Sequence, residues 1–183
     1  MDGQFYVDSR APWLITDPSA VTVIATNKAI IPLSNLPVLG SNYWWVGKAV
    51  RIRMFGRMST AASAGTQTFS LFWGTGADAN GTSLAASAAQ TLVNSQTNIS
   101  WELEFFVRCR AIGTSGSLFA WGMFSANVAV LASTAQPVMI PASAPAAVAV
   151  DLTAANVLSP QVLATTSTTN TMQVHDFMFE ALN

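Results

Sequence analysis

Two segments of this chain alternate between apolar and polar positions with a period of two. In "KAVRIRMFGRMST", Val50, Ile52, Met54 and Met58 share one parity, and Arg51, Arg53, Phe55 and Arg57 share the other. In "SWELEFFVRCRAIG", Trp101, Leu103, Phe105, Val107 and Cys109 alternate with Glu102, Glu104, Phe106, Arg108 and Arg110. Successive side chains of a strand point to opposite faces, so each pattern predicts a half-buried strand with a charged outer face. "TQTFSLFWG" (66–74), "GSLFAWGMFS" (116–125), "AAVAVDL" (146–152) and "TMQVHDFMFEAL" (171–182) are rich in aromatic or β-branched residues and predict further strands. "SAVTVIATNKAIIPL" reads as two short strands about Asn27. The Ala-rich "TSLAASAAQTL" is the best helical material in the chain and offers the one alternative, a short helix. Gly, Pro, Asn and Ser clusters, "GTGADANGTS", "GTSGS", "PASAP" and "TTSTTN", punctuate the rest. Many strands joined by such loops imply an all-β protein, an antiparallel β-sandwich or jelly roll rather than βαβ units.

Composition sharpens this picture in one respect. Only 9% of the 183 residues are charged while 51% are apolar, against about 25% charged in an ordinary soluble domain. Positions 111–150 carry no charge, yet Ser125, Asn127, Ser133, Thr134, Gln136, Pro137 and Pro141 interrupt that tract. A membrane span needs about 20 mostly apolar residues in a row, so none is expected. The N-terminus has an acidic second residue and no apolar run of signal-peptide length, which points to a protein made in a cytoplasm. A net charge of −1 supplies no global field to attract a polyanion and little self-repulsion against association. With one cysteine there is no intrachain disulfide and no thiolate metal cluster.

Candidate chemistry is sparse. Arg51, Arg53 and Arg57 form either a binding stripe for nucleic acid or one half of a set of Arg–Glu pairs with the strand bearing Glu102 and Glu104; the balance of charges favours the pairs, within or between subunits. His175, the only histidine, and Asp176 fall on opposite faces of a regular strand and make no base and orienter there. Cys109 shares the apolar parity and reads as a small buried hydrophobe rather than a nucleophile. "ADANGT" has Asp78 and Asn80 two apart, as at the start of a calcium loop, but the next carboxylate is Glu102, so a turn is expected. Neither a catalytic set nor a metal or cofactor site is expected. Tyr43, Trp44 and Trp45 are either a platform for sugar rings, if exposed, or core and interface anchors, if buried.

The segments "NYWWVGKAVRIRMFGRMST", "TFSLFWGTGADANGTSLAASAAQ", "WELEFFVRCRAIGTSGSLFAWG", "QPVMIPASAPAAVAVDLTAANVL" and "VHDFMFEALN", in this order, resemble a group of bacteriophage virion proteins, notably from actinobacterial phages, described as minor capsid, head decoration or tail-associated proteins. The similarity runs from about Leu36 to Asn183. It implies a jelly-roll sandwich like that of tumour necrosis factor, occupying residues 20–183 and assembling as a homotrimer on the outside of the virion. Residues 1–19, with Trp13, read as an arm that ties one subunit to another or to a shell. The resemblance implies a decoration or cementing protein bound to the major capsid protein; the charge balance, the interrupted apolar tracts and the sparse chemistry add the expectation of no nucleic-acid binding, no membrane insertion and no enzymatic activity. Trp13, Tyr43, Trp44, Trp45, Arg51, Arg53 and Arg57 are its expected interface residues. Binding of host glycan at the Tyr43–Trp45 cluster is the alternative.

Overall fold

The alternating segments form two long neighbouring strands at the centre of a larger sheet. The structure, a computed structural model, describes residues 20–23, 26–78, 80–127, 130–132, 136–165 and 169–182. The arm expected over residues 1–19, Trp13 included, lies outside them. The strands are β1 (Val21–Thr22), β2 (Lys28–Ala29), β3 (Ala49–Ser59), β4 (Thr66–Gly74), β5 (Thr82–Ala86), β6 (Gln90–Thr91), β7 (Ile99–Ala111), β8 (Gly116–Ala126), β9 (Val138–Ile140), β10 (Ala147–Val150), β11 (Val157–Ala164) and β12 (Thr171–Ala181). The larger sheet runs β1-β12-β3-β7-β8-β10, with β9 also on β8; the smaller runs β2-β11-β4-β5, with β6 also on β4. All strand pairs are antiparallel.

Four pairs are nested: β1 with β12, β2 with β11, β3 with β7, and β4 with β5. That is the wiring of a jelly roll, a long hairpin folded over so that its outer and inner turns alternate between two sheets. Strands β8 to β10 widen the larger sheet between β7 and β11.

One alternative falls and one strand is new. "TSLAASAAQTL" forms β5 and β6, with Leu84 and Ala85 buried, and no helix. Alanine's helical advantage is only some tenths of a kcal/mol per residue, and a short isolated helix does not outweigh pairing and burial against β4. The new strand is β11, "VLSPQVLA", which the alternation does not reveal because seven of its eight residues are buried, polar Ser159 and Gln161 among them. Its Pro160 interrupts a central strand. In an antiparallel ladder a residue's N–H and C=O face the same neighbour, and the Pro160 carbonyl accepts from Ile30 N–H at 3.0 Å. The missing N–H therefore faces the end of β2, only two residues long, and costs the sheet little.

The inward parities of both sheets meet at Phe69 of β4 and Phe124 of β8, stacked at 3.8 Å and 15°. Trp101 and Phe105 of β7 extend this aromatic centre, both nearly sealed from solvent. Each lies opposite a glycine: Trp101 pairs with Gly56 and Phe105 with Gly122. A β-carbon on Gly56 would fall 1.9 Å from the Gln173 carbonyl oxygen and 2.7 Å from the Trp101 ring; one on Gly122 would fall 2.2 Å from the Glu104 carbonyl oxygen. The rings occupy the space that glycine leaves, so ring and glycine are one packing unit.

Gly56→Val is therefore expected to destabilise the fold by about 3 kcal/mol, as overpacking against backbone that cannot retreat. Thermal unfolding checks this; Gly40→Val, where a β-carbon meets nothing within 4 Å, should leave the midpoint nearly unchanged.

Candidate functional site

The outer face of the larger sheet is ordered in rows across four strands. Glu180, Arg51, Phe106 and Trp121 form one; Met178, Arg53, Glu104 and Met123 the next; Asp176, Phe55, Glu102 and Ser125 a third. The two arginines reach diagonally, one row over. Arg51 Nε donates to Glu104 Oε1, and Arg53 Nε donates to Glu102 Oε1 at 2.6 Å. Arg57 Nε donates to Gln173 Oε1 at 2.9 Å. The stripe is thus answered inside the chain. Glu104 is buried beside Arg51, whereas Glu102 and Arg53 are each about one-third exposed. The bond to Glu102, outweighing partial burial, holds the Arg53 guanidinium above its ordinary pKa. Rings lie between the charges: Phe106 stacks on Trp121 at 4.3 Å and 14°, and the Arg53 guanidinium lies 4.6 Å from the Phe55 ring centre.

The aromatic cluster before β3 divides. Trp44 is buried, edge-on to Tyr43 at 5.1 Å and to Trp73 at 6.0 Å. Trp45 is 50% exposed. Lys48, which sequence reasoning did not single out, places its ammonium 3.5 Å from the Tyr43 ring centre and 4.0 Å from that of Trp45. The spacing Tyr-Trp-Trp-x-x-Lys was the available signal. Lys48 is 7% exposed, and burial lowers its pKa. Two ring faces that a sugar would need are in contact with this cation.

The other titratable candidates are placed as follows. Cys109 is buried, and burial pushes its thiol pKa up, the reverse of an activated thiolate. His175 is exposed where the register shifts between Val174 and Asp176, and Asp176 takes the outward position opposite Phe55. Asp78 accepts from Lys28 Nζ at 2.6 Å and from Ala29 N–H at 2.9 Å; burial alone would raise its pKa, and these two bonds lower it. Asp78 thus ties the β4–β5 turn to β2. Among the described residues no group of three or more His, Cys, Asp or Glu side chains could hold a metal ion, and no helix is long and apolar enough to cross a membrane.

The two ends of the sandwich differ. Seven large apolar side chains are exposed among the described residues: Leu33, Val38, Trp45, Val46, Ile112, Met139 and Leu182. All but Met139 lie at one end. Leu33 packs over the turn after β4; Val38 neighbours the Leu39–Asn156 bridge before β11; Trp45 and Val46 precede β3, where Gly47 N–H bonds the Cys109 carbonyl; Ile112 follows β7; and Leu182 N–H bonds the Ala49 carbonyl. At the opposite end, the described residues of the loops (60–65, 92–98, 126–127, 130–132, 136–137, 165 and 169–170) include no Asp, Glu, Lys or Arg. Amides and hydroxyls bind these loops instead. Asn170 accepts from Ala61 N–H and donates to the Ala64 carbonyl, both at 2.8 Å; Asn94 accepts from Ala64 N–H; Thr60 donates to the Val93 carbonyl and accepts from Gln96 N–H.

No protein-family model, curated protein or solved structure matches the chain.

Two outcomes test this description. Arg51→Met strands a buried carboxylate and is expected to cost about 2 kcal/mol, while Arg53→Met, at a pair open to solvent, costs about 0.5 kcal/mol; denaturant midpoints compare them. The lowered Lys48 pKa means the unfolded chain binds more protons between the folded value and the ordinary lysine value of 10.5, so stability rises with pH through that window. Wild type should gain on Lys48→Met as pH climbs from neutral toward this limit, read as the difference between their unfolding midpoints.

Proposed function

We propose that this chain is a structural subunit of a bacteriophage virion, a decoration or cementing protein that seats on the outside of the major capsid shell and associates with copies of itself as a homotrimer. One observation carries the reading: among the described residues, six of the seven exposed large apolar side chains gather at one end, while the loops at the other end carry no charge and are tied by amides. Contiguous exposed apolar surface marks contact with another macromolecule, and a subunit that presents it at one pole stands on its partner with the polar pole outward. The sequence resemblance supplies the identity of the partner. No chemistry is needed, because a ligand that binds only the assembled shell stabilises it by its binding free energy.

Purified protein should bind capsid shells that lack it and raise their disruption temperature. Val46→Asn with Ile112→Asn, at the apolar end, weakens that binding by about tenfold or more, and Thr97→Asn, at the far end, leaves it unchanged. Failure of the wild-type protein to bind shells removes the decoration reading. Binding to host-cell glycan that is lost in Trp45→Ala replaces it with host recognition.

A further inference from the structure

At the apolar end of the larger sheet the outward row is incomplete. Its β3 position is Ala49, a methyl group between Leu182 on one side and Arg108 on the other. The result is an open notch of about 210 Å³ with Ala49 in its floor. Phe106 and Trp121, stacked on each other, line one side; Phe119 and Leu182 line others; Arg108 and Arg110 stand at the rim, both exposed.

These two arginines differ from the rest of the face. Arg51 and Arg53 have carboxylate partners and Arg57 an amide partner, but among the described residues no carboxylate lies within 4 Å of Arg108 or Arg110. The Arg110 guanidinium rests 4.6 Å from the Phe119 ring centre. In the next row the outward acid is Glu180, directly opposite Arg51. An open hollow walled by aromatic rings, with two guanidinium groups at its rim that have no carboxylate partner among the described residues, suits an aromatic side chain next to an anionic one.

The chain's own sequence contains that combination. Residues 1–19 hold three of the nine acidic side chains, Asp2, Asp8 and Asp17, against one arginine, and the rest of the chain keeps seven basic against six acidic side chains. The segment is therefore anionic and the body slightly cationic. In "YVD", Tyr6 and Asp8 are two residues apart, so an extended backbone presents ring and carboxylate on one side about 6.6 Å apart. The eleven residues 9–19 between Asp8 and residue 20 reach about 36 Å when extended, enough to cross to an adjoining subunit.

We infer that the notch binds the Tyr6–Asp8 segment of a second copy of this chain, the ring entering between Trp121 and Leu182 and the carboxylate meeting Arg108 and Arg110. The inference rests on the self-association in the proposed function and adds the contact that holds copies together. It is tested with the full-length chain by sedimentation. Arg108→Asp with Arg110→Asp should weaken self-association about tenfold, by setting carboxylate against carboxylate. Asp8→Arg should do the same, and Tyr6→Ala should weaken it too. Combining Asp8→Arg with the two rim reversals should restore association to within about threefold of wild type, which also shows that the reversed chains fold. A chain that stays monomeric, association indifferent to the reversals, or a combination no better than either half overturns the inference. Shell binding measured on the same variants separates the two readings. Shells decorated as usual with association indifferent to the reversals sinks only this contact, and reversals that behave as expected with no shell binding sinks only the decoration role.

Discussion

The stack of Phe69 on Phe124 is where the two sheets become one molecule. The rings of Trp101 and Phe105 lie over the neighbouring strands of their own sheet, where a β-carbon on the paired residue would meet them. Gly56 and Gly122, on either side of β7, carry none. The central strand is thus held by aromatic bulk on one parity, while its other parity carries the Glu102 and Glu104 partners of β3. Inner packing and outer pairing lock the same register: a slip of one residue would put the rings in solvent and the carboxylates in the core.

A protein with so few charges cannot spread them over its surface, and this one concentrates them. Two diagonal Arg–Glu pairs and the aromatic rings between them cover the middle of the larger sheet. The Lys28–Asp78 pair fastens the β4–β5 turn to β2. Lys48 is held by Tyr43 and Trp45 rather than by a carboxylate. What remains is sorted by end: apolar side chains with Arg108 and Arg110 at one, asparagine, threonine and glutamine at the other.

The sheets were legible to the degree that one face of each strand met water. β3 and β7 alternate because their outer faces are partly solvated, so their pairing and even its Arg–Glu content follow from parity. β11 was hidden for the opposite reason. It is covered on both sides, so Ser159 and Gln161 sit at positions no alternation marks, and Pro160 argues against a strand unless the shortness of β2 is known. The apolar end was illegible in a different way: Leu33, Val38, Trp45, Val46, Ile112 and Leu182 are scattered through the chain, and only the jelly-roll wiring brings them together. Trp44 and Trp45 are neighbours in sequence with opposite fates, one against Trp73 in the core and one at the surface, which adjacent aromatics in a loop do not disclose.

The amide brackets of the far end have a consequence for the medium the protein can endure. Asn170, Asn94, Thr60 and Gln96 neither gain nor lose protons under conditions where proteins fold, and none of the bonds that fasten these loops is an ion pair that salt would screen. Acid, alkali and brine therefore act on that tip only through the stability of the fold as a whole, and the direct response to the surroundings falls to the opposite pole, where Lys48, Arg108 and Arg110 are.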